Sequence, residues 1–444
     1  MTYISNTEAD RAAMLNAIGV GSFEELLDNI PPEIRLEDGL ELPEAVSEYE
    51  ALKELRAISG RNRNSNELIS FLGGGAYDHF VPSVVGAIVS RSEFSTAYTP
   101  YQPEVSQGTL QTIYEFQTMM CNLTGMDVAN ASMYDGGSSL AEACLLAAAH
   151  TGRDEIVIAG KVHPHYLQIA RTYCGGQEIN LKQTTLVDGV ANVDDVRKSV
   201  TSNTAALVVQ QPNFFGCLED VFELGLIAHA QGALYVVAVD PISLGILVPP
   251  GDYGADVVVG EGQSLGIDMS YGGPYLGIFA VKQPLLRRIP GRLSGITVDS
   301  EGKRGFVLAL QTREQQIRRE KATSNICTNQ GLMMLSACVY LSLLGKQGIQ
   351  EVARLCLQKS HYLAQRLSAL PGYQLKFRQR FFKEFVLETP TSPRLIIEHL
   401  LSKNIAPGLD LAGFSEHDSG LLVAVTEKRT KNEMDQFVEA LQTL

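Results

Sequence analysis

The chain has 444 residues, with 36 bases against 50 acids for a net charge of −14, and 45% of it is hydrophobic. That length calls for more than one core, and the composition excludes wholesale disorder. The acidity argues against nucleic acid or an anionic membrane as a partner. No apolar run reads as long enough to span a bilayer, and the first residues show no basic segment leading into an apolar one, so neither a transmembrane helix nor a secretory signal is expected.

Charge is unevenly spread. Residues 1–60 hold thirteen acids and four bases, while residues 282–321 hold ten bases and four acids. Each stretch reads as a solvated face or, more specifically, as a complementary interface or an anion site. Seven cysteines with no C-x-x-C pair fit reduced thiols in a cytoplasmic protein better than a disulfide framework or a zinc knuckle.

The first sixty residues read as short helices. Ser22 and Glu25 suggest a capping box opening Phe23–Asp28, and Pro43 a second helix whose Val46, Tyr49, Leu52 and Leu55 share an apolar face. Such an acidic arm has little core of its own, so that face is expected to pack on another body. From about residue 130 strands alternate with helices. The strand-like runs are Glu155–Ala159, Ala205–Gln210, Leu234–Val239, Asp256–Val259 and Leu276–Val281; the helical ones are Ser138–His150, His165–Cys174 and Val221–Gln231. Nearly continuous Val, Ile and Ala predict a mainly parallel sheet covered on both faces. Two helical patterns, Gly331–Leu344 and Ile349–Leu370, then lead into an α+β region with strands near Tyr373–Phe377, Phe385–Glu388 and Leu421–Val425 and a helix over Lys431–Leu441. The division expected is an arm over 1–62, a large α/β domain over 63–315 and a small α+β domain over 316–444.

The glycines of Gly260-Glu261-Gly262-Gln263-Ser264-Leu265-Gly266 follow a strand. Turn chemistry comes next where a dinucleotide site needs a helix, so no nicotinamide site is expected. His163-Pro164-His165 lacks further ligands for a metal and more simply caps the following helix. Asp135-Gly136-Gly137-Ser138-Ser139 before a strong helix is either a phosphate cradle or a helix start capped by Ser138 or Ser139. Asp240 ends a strand, where sheet enzymes hold ligands. In pyridoxal-phosphate enzymes such an aspartate pairs with the pyridine nitrogen, and a lysine a few tens of residues later forms the Schiff base. Residues 199–281 contain neither Lys nor Arg. This chain is therefore not expected to bind the coenzyme covalently, and Ser138 and Asp240 read as vestiges.

The runs Tyr98–Gly108, Met126–Ser132, Tyr271–Pro274, Leu308–Glu314 and Arg318–Thr328 resemble the glycine decarboxylase P protein of the glycine cleavage system, along essentially the whole chain. Within that family the sequence is similar to the N-terminal type of two homologous halves, which lacks the coenzyme lysine. The resemblance implies the type I, aminotransferase-like pyridoxal-phosphate fold. It also implies a lysine-bearing partner subunit that holds the pyridoxal phosphate, an α2β2 assembly, glycine as substrate and the lipoyl H protein as acceptor of the aminomethyl group. No catalytic residue of its own and no metal are expected. Side chains expected to line the active site at the subunit contact are Tyr98, Tyr101 and Glu104 on a proline-stiffened segment, Arg318, Arg319 and Lys321 as anion-binding groups, and Thr323, Ser324 and Asn325 as hydrogen-bonding groups. The alternative is a non-catalytic scaffold that stabilises or regulates its partner.

Overall fold

A computed structural model describes residues 5–36, 39–322, 324–414 and 418–444, and the chain divides into two units, residues 1–63 and 64–444.

In the first unit, Glu8–Ile18 is a helix opened by a Thr7–Asp10 capping box and closed by Gly19 at φ 90°. Ser22 and Glu25 do meet, yet they shape only a 3-10 turn, Glu24–Leu27. The next helix, Glu48–Ser59, starts from the Ser47–Glu50 capping box and not from Pro43, which leaves Val46 outside it. No residue of these helices is buried, and Tyr49, Leu52 and Leu55 are exposed.

The second unit is built on a seven-stranded sheet in the order Val128–Ala129, Gly277–Val281, Val257–Glu261, Leu234–Val239, Thr204–Gln211, Glu155–Ile158, Asn180–Gln183. The last five of these are parallel to one another. Their Val, Ile and Ala side chains divide between two cores, one on each face, as a helix-covered sheet requires. The sheet is mainly parallel as expected, and Gly277–Val281 runs antiparallel to Val257–Glu261. The segment joining the two is a turn with no crossover helix, and only an antiparallel return can follow.

A helix and a hairpin outside the sheet were not anticipated. Helix Gln107–Thr124 packs Leu110 against Phe306 and Leu308 of a hairpin formed by Leu293–Val298 and Arg304–Ala309. Helix Gly331–Ser368 is broken at Gly345, whose φ of 57° and ψ of −169° separate the two helical patterns seen in the sequence. By length and composition it could cross a bilayer. Its first half instead carries Met334, Ala337 and Tyr340 into the core of the main sheet, and its second half carries Leu363 and Leu367 into a C-terminal core, so it reads as a core helix. The C-terminal core is covered by an antiparallel sheet, Gln374–Leu375, Glu384–Glu388, Leu421–Ala424 and Leu409–Asp410, with helices Pro393–Leu401 and Lys431–Leu441.

Among the described residues, four glutamates are enclosed by this packing. Burial pushes Glu142, Glu219 and Glu384 up to about 7 and Glu261 to about 8. The folded chain therefore holds protons that the unfolded chain has already lost, so these groups stabilise fully below their unfolded values and the gain fades as pH rises through 7 to 8. Burial also pushes His163 down to about 4, which acts the opposite way, but only below its unfolded value of 6.5. The expected outcome is that the calorimetric unfolding temperature falls between pH 6.5 and 8; a rise over that interval would contradict the burial of these carboxyls.

Candidate functional site

The carboxyl ends of the parallel strands are where this architecture can hold a ligand. Asp240 follows Val239 there, its Oδ1 accepting from the Ile242 N–H at 3.1 Å. Its Oδ2 lies 2.8 Å from Nζ of Lys383, a side chain brought in from the C-terminal sheet and only 1% exposed. The ammonium also sits 3.4 Å from the centre of the Tyr77 ring and 3.1 Å from His79 Nε2. Such a cation satisfies its charge, its donors and its apolar contact together. Beyond it, His79 Nδ1 is 2.6 Å from Glu427 Oε2. Burial pushes the Glu427 carboxyl up, but the His79 ring and backbone N–H groups pull it down further, to about 2. Cys356 Sγ reaches Glu427 at 3.6 Å; the nearby Lys383 ammonium already supplies positive charge to this cluster.

The next residue, Glu384, accepts from the Tyr77 hydroxyl at 2.6 Å and the Gly74 N–H at 2.7 Å. His163 caps helix Pro164–Gly175 through its Nδ1, which accepts from the His165 N–H at 3.1 Å. Nε2 must then carry the proton, and it lies 2.6 Å from the Gly74 carbonyl. The ring is neutral, and Tyr166 stacks on it at 4.5 Å.

The glycine-rich helix start is equally engaged. Asp135, not Ser138 or Ser139, is the N-cap: its carboxylate accepts from the Ser138 N–H, the Ser138 hydroxyl accepts from the Asp135 N–H, and the helix runs Gly136–Thr151. The Ser139 hydroxyl is spent on the Asp135 carbonyl at 2.8 Å. The Gly136 N–H, which would greet an anion, donates to Glu261 Oε2 at 3.0 Å. Glu261 Oε1 accepts from the Gln263 and Leu276 N–H groups. A Cβ on Gly136 would meet the Tyr166 hydroxyl at 2.4 Å, so that phenol fills the approach a phosphate needs. No helix follows Glu261, in keeping with the rejection of a dinucleotide site.

Between Asp240, Lys383, Tyr166, His163 and Glu261 remains a cavity of about 30 Å³. That is room for a water or two. With the side chains so placed, pyridoxal phosphate does not fit this cleft: the strand-end carboxylate is paired with Lys383, and Tyr166 with Glu261 fills the helix start.

The other residues expected in a site lie elsewhere in this unit. Tyr98, 90% exposed, borders a cavity of about 220 Å³ with Pro100, Arg292, Thr328, Asn329 and Leu332. Tyr101 stands beside it, its hydroxyl donating to Gln316 at 2.8 Å and its ring 5.4 Å from the Arg292 guanidinium. Ser324 borders a small recess on another side of Arg292. Glu104, Arg318, Arg319, Lys321 and Asn325 are exposed and line neither cavity. The three bases make no salt bridge among the described residues; pairing with Glu314 or Glu320 does not occur. Thr323 lies outside the described residues. Lys383, Glu261 and Arg292 were missed. Their signals were a strand-end acid inside the dismissed glycine run and an arginine within the basic stretch; Lys383 had none.

The glycine cleavage system P-protein family model matches residues 1–441. A probable glycine dehydrogenase (decarboxylating) subunit 1 from Chloroherpeton thalassium is 60% identical over 444 residues, covering 100% of both chains. A crystal structure of an inhibitor-bound glycine decarboxylase P-protein superimposes with a TM-score of 0.92 at 42% identity, again over 100% of both chains. A sphingosine-1-phosphate lyase from Burkholderia pseudomallei, 16% identical with a TM-score of 0.66 over 92% of this chain and 93% of its own, shares the fold alone. A full-length match in sequence and in structure, on a parallel sheet with an acid at its carboxyl edge, shows that this chain belongs to the glycine cleavage system P-protein family, as a subunit of glycine dehydrogenase (decarboxylating).

Proposed function

We propose that this chain is the coenzyme-free subunit of a two-chain glycine dehydrogenase (decarboxylating). A homologous, lysine-bearing subunit holds the pyridoxal phosphate, and glycine and the lipoyl H protein are handled there, in an α2β2 assembly in the cytoplasm. The supporting observation is the self-filled cleft: Lys383 occupies the carboxylate that would hold a pyridine nitrogen, and Glu261 with Tyr166 occupies the helix start.

This chain's contribution is to line the neighbouring centre with Tyr98, Tyr101, Glu104, Arg318, Arg319, Lys321, Thr323, Ser324 and Asn325. A tyrosine 90% exposed on a stiff, proline-flanked segment suits a contact made with another chain. Three exposed bases without acid partners among the described residues suit anionic groups arriving from outside. The apolar face of the arm, Tyr49, Leu52 and Leu55, exposed within its own unit, packs on another body.

Three outcomes test this reading. Purified chain given pyridoxal phosphate and borohydride yields no stoichiometric lysine adduct by peptide mass spectrometry; one trapped lysine, Lys383 above all, would end the proposal. Lys383→Met strands a buried carboxylate and lowers stability by about 3–5 kcal/mol. Lys383→Met with Asp240→Asn recovers part of that loss, and neither variant alters the coenzyme content of the two-chain complex. In that complex Tyr98→Ala cuts glycine decarboxylation at least about tenfold, roughly 1.4 kcal/mol, with assembly intact by size-exclusion chromatography. An unchanged rate would favour the scaffold.

A further inference from the structure

Arg292 is 5% exposed and forms no salt bridge among the described residues. Its Nη1 lies 3.3 Å from Asn329 Oδ1 and its Nη2 3.4 Å from the Tyr101 hydroxyl, both long and both to neutral groups. Nε has no hydrogen-bond partner. A guanidinium carries five N–H donors, and a buried cation facing only two weak neutral acceptors is a costly arrangement. Arg313, nearby, spends its guanidinium on the carbonyls of Ile289, Gly291 and Leu310, and the Glu314 carboxylate beside it forms no salt bridge with Arg292.

A second, independent feature meets Arg292 at the 220 Å³ cavity. Helix Gly331–Ser368 begins there, with Gly331 and Leu332 in the wall, and Gln330 at its N-cap makes no side-chain cap hydrogen bond. An uncapped helix start offers backbone N–H groups and the positive end of the macrodipole. Thr328 adds a hydroxyl to the wall, while Phe94, Ile113 and Leu335 make the rest of it apolar.

We infer that Arg292 and the start of helix Gly331–Ser368 form a binding site for a phosphate group carried on an organic body. Glycine's carboxylate is the poorer occupant: it leaves as neutral carbon dioxide, and a guanidinium gripping it would stabilise the starting ion over the transition state. The fork of a guanidinium matches phosphate oxygens, and the apolar wall accommodates the attached body. That the phosphate arrives on the partner's coenzyme rests on the reading above; the site itself does not.

The probe is inorganic phosphate on the purified full chain, at constant ionic strength with chloride as control. Phosphate raises the unfolding temperature saturably and broadens its own phosphorus resonance. Arg292→Gln weakens the apparent affinity by about tenfold or more, and Arg292→Lys weakens it less. Should Arg292→Gln fail to fold, Tyr101→Phe and the wild-type resonance still report on the site. Phosphate behaving like chloride, Arg292→Gln binding as wild type does, or acetate competing as well as phosphate would each overturn the assignment. In the two-chain complex, loss of phosphate binding on loading pyridoxal phosphate identifies the coenzyme as the source; persistence identifies a separate phosphate ester. A coenzyme-trapping lysine in this chain would sink the coenzyme-free reading and leave the phosphate result standing.

Discussion

The buried pair of Lys383 and Asp240 governs the cleft. Neither ion could be enclosed alone without a desolvation cost of several kcal/mol, so each requires the other. Their contact at 2.8 Å sets the C-terminal sheet against the carboxyl edge of the main sheet. Because Lys383 is held, its neighbour Glu384 is aimed at Tyr77 and Gly74, and strand Glu384–Glu388 starts from a defined position. A buried ion pair is seldom a large net stabiliser compared with apolar residues of the same volume. Its consequence here is specificity: one register between two sheets, and a cleft whose positive and negative charges balance.

The sequence revealed the parallel strands because Val, Ile and Ala runs bounded by turns can be read locally. Asp240 was legible for the same reason, as the polar residue closing such a run. Lys383 was not. The spacing rule places an amine within a few tens of residues of the aspartate, and closure through a distant sheet leaves no trace in spacing. Glu261 closes a strand just as Asp240 does, yet its glycine-rich surroundings drew attention to a nucleotide loop and away from the acid. Gly277–Val281 reads as a strand, but its antiparallel direction was not legible, since direction depends on whether the connection contains a helix. Pro43 reads as a helix start, yet the helix opens at Ser47, which with Glu50 satisfies two backbone donors where a proline satisfies none.

Lys383 and Arg292, two of the buried cations among the described residues, behave differently. Lys383 has a carboxylate, an aromatic face and an imidazole within 3.4 Å, and the space around it has shrunk to about 30 Å³. Arg292 has two long contacts to neutral oxygens beside about 220 Å³. The first is electrically complete, and the second is not. The strand-end aspartate is neutralised internally by Lys383, while the Arg292 charge lies unmatched by any salt bridge among the described residues, beside the exposed tyrosine segment.

Closing the first cavity has a calculable effect on any coenzyme that tries to enter. Entry requires Lys383 to leave Asp240 and Tyr166 to leave the helix start. Breaking the ion pair alone costs about 3–5 kcal/mol. Each 1.4 kcal/mol is a factor of ten in affinity, so the penalty weakens binding by roughly two to nearly four orders of magnitude before the ring has found any space. Even generous contacts elsewhere in the cleft would be spent on recovering that deficit. The ammonium that fills the strand-end carboxylate is the same charge that holds the two sheets in register, so opening this cleft to a coenzyme requires loosening the join between the sheets.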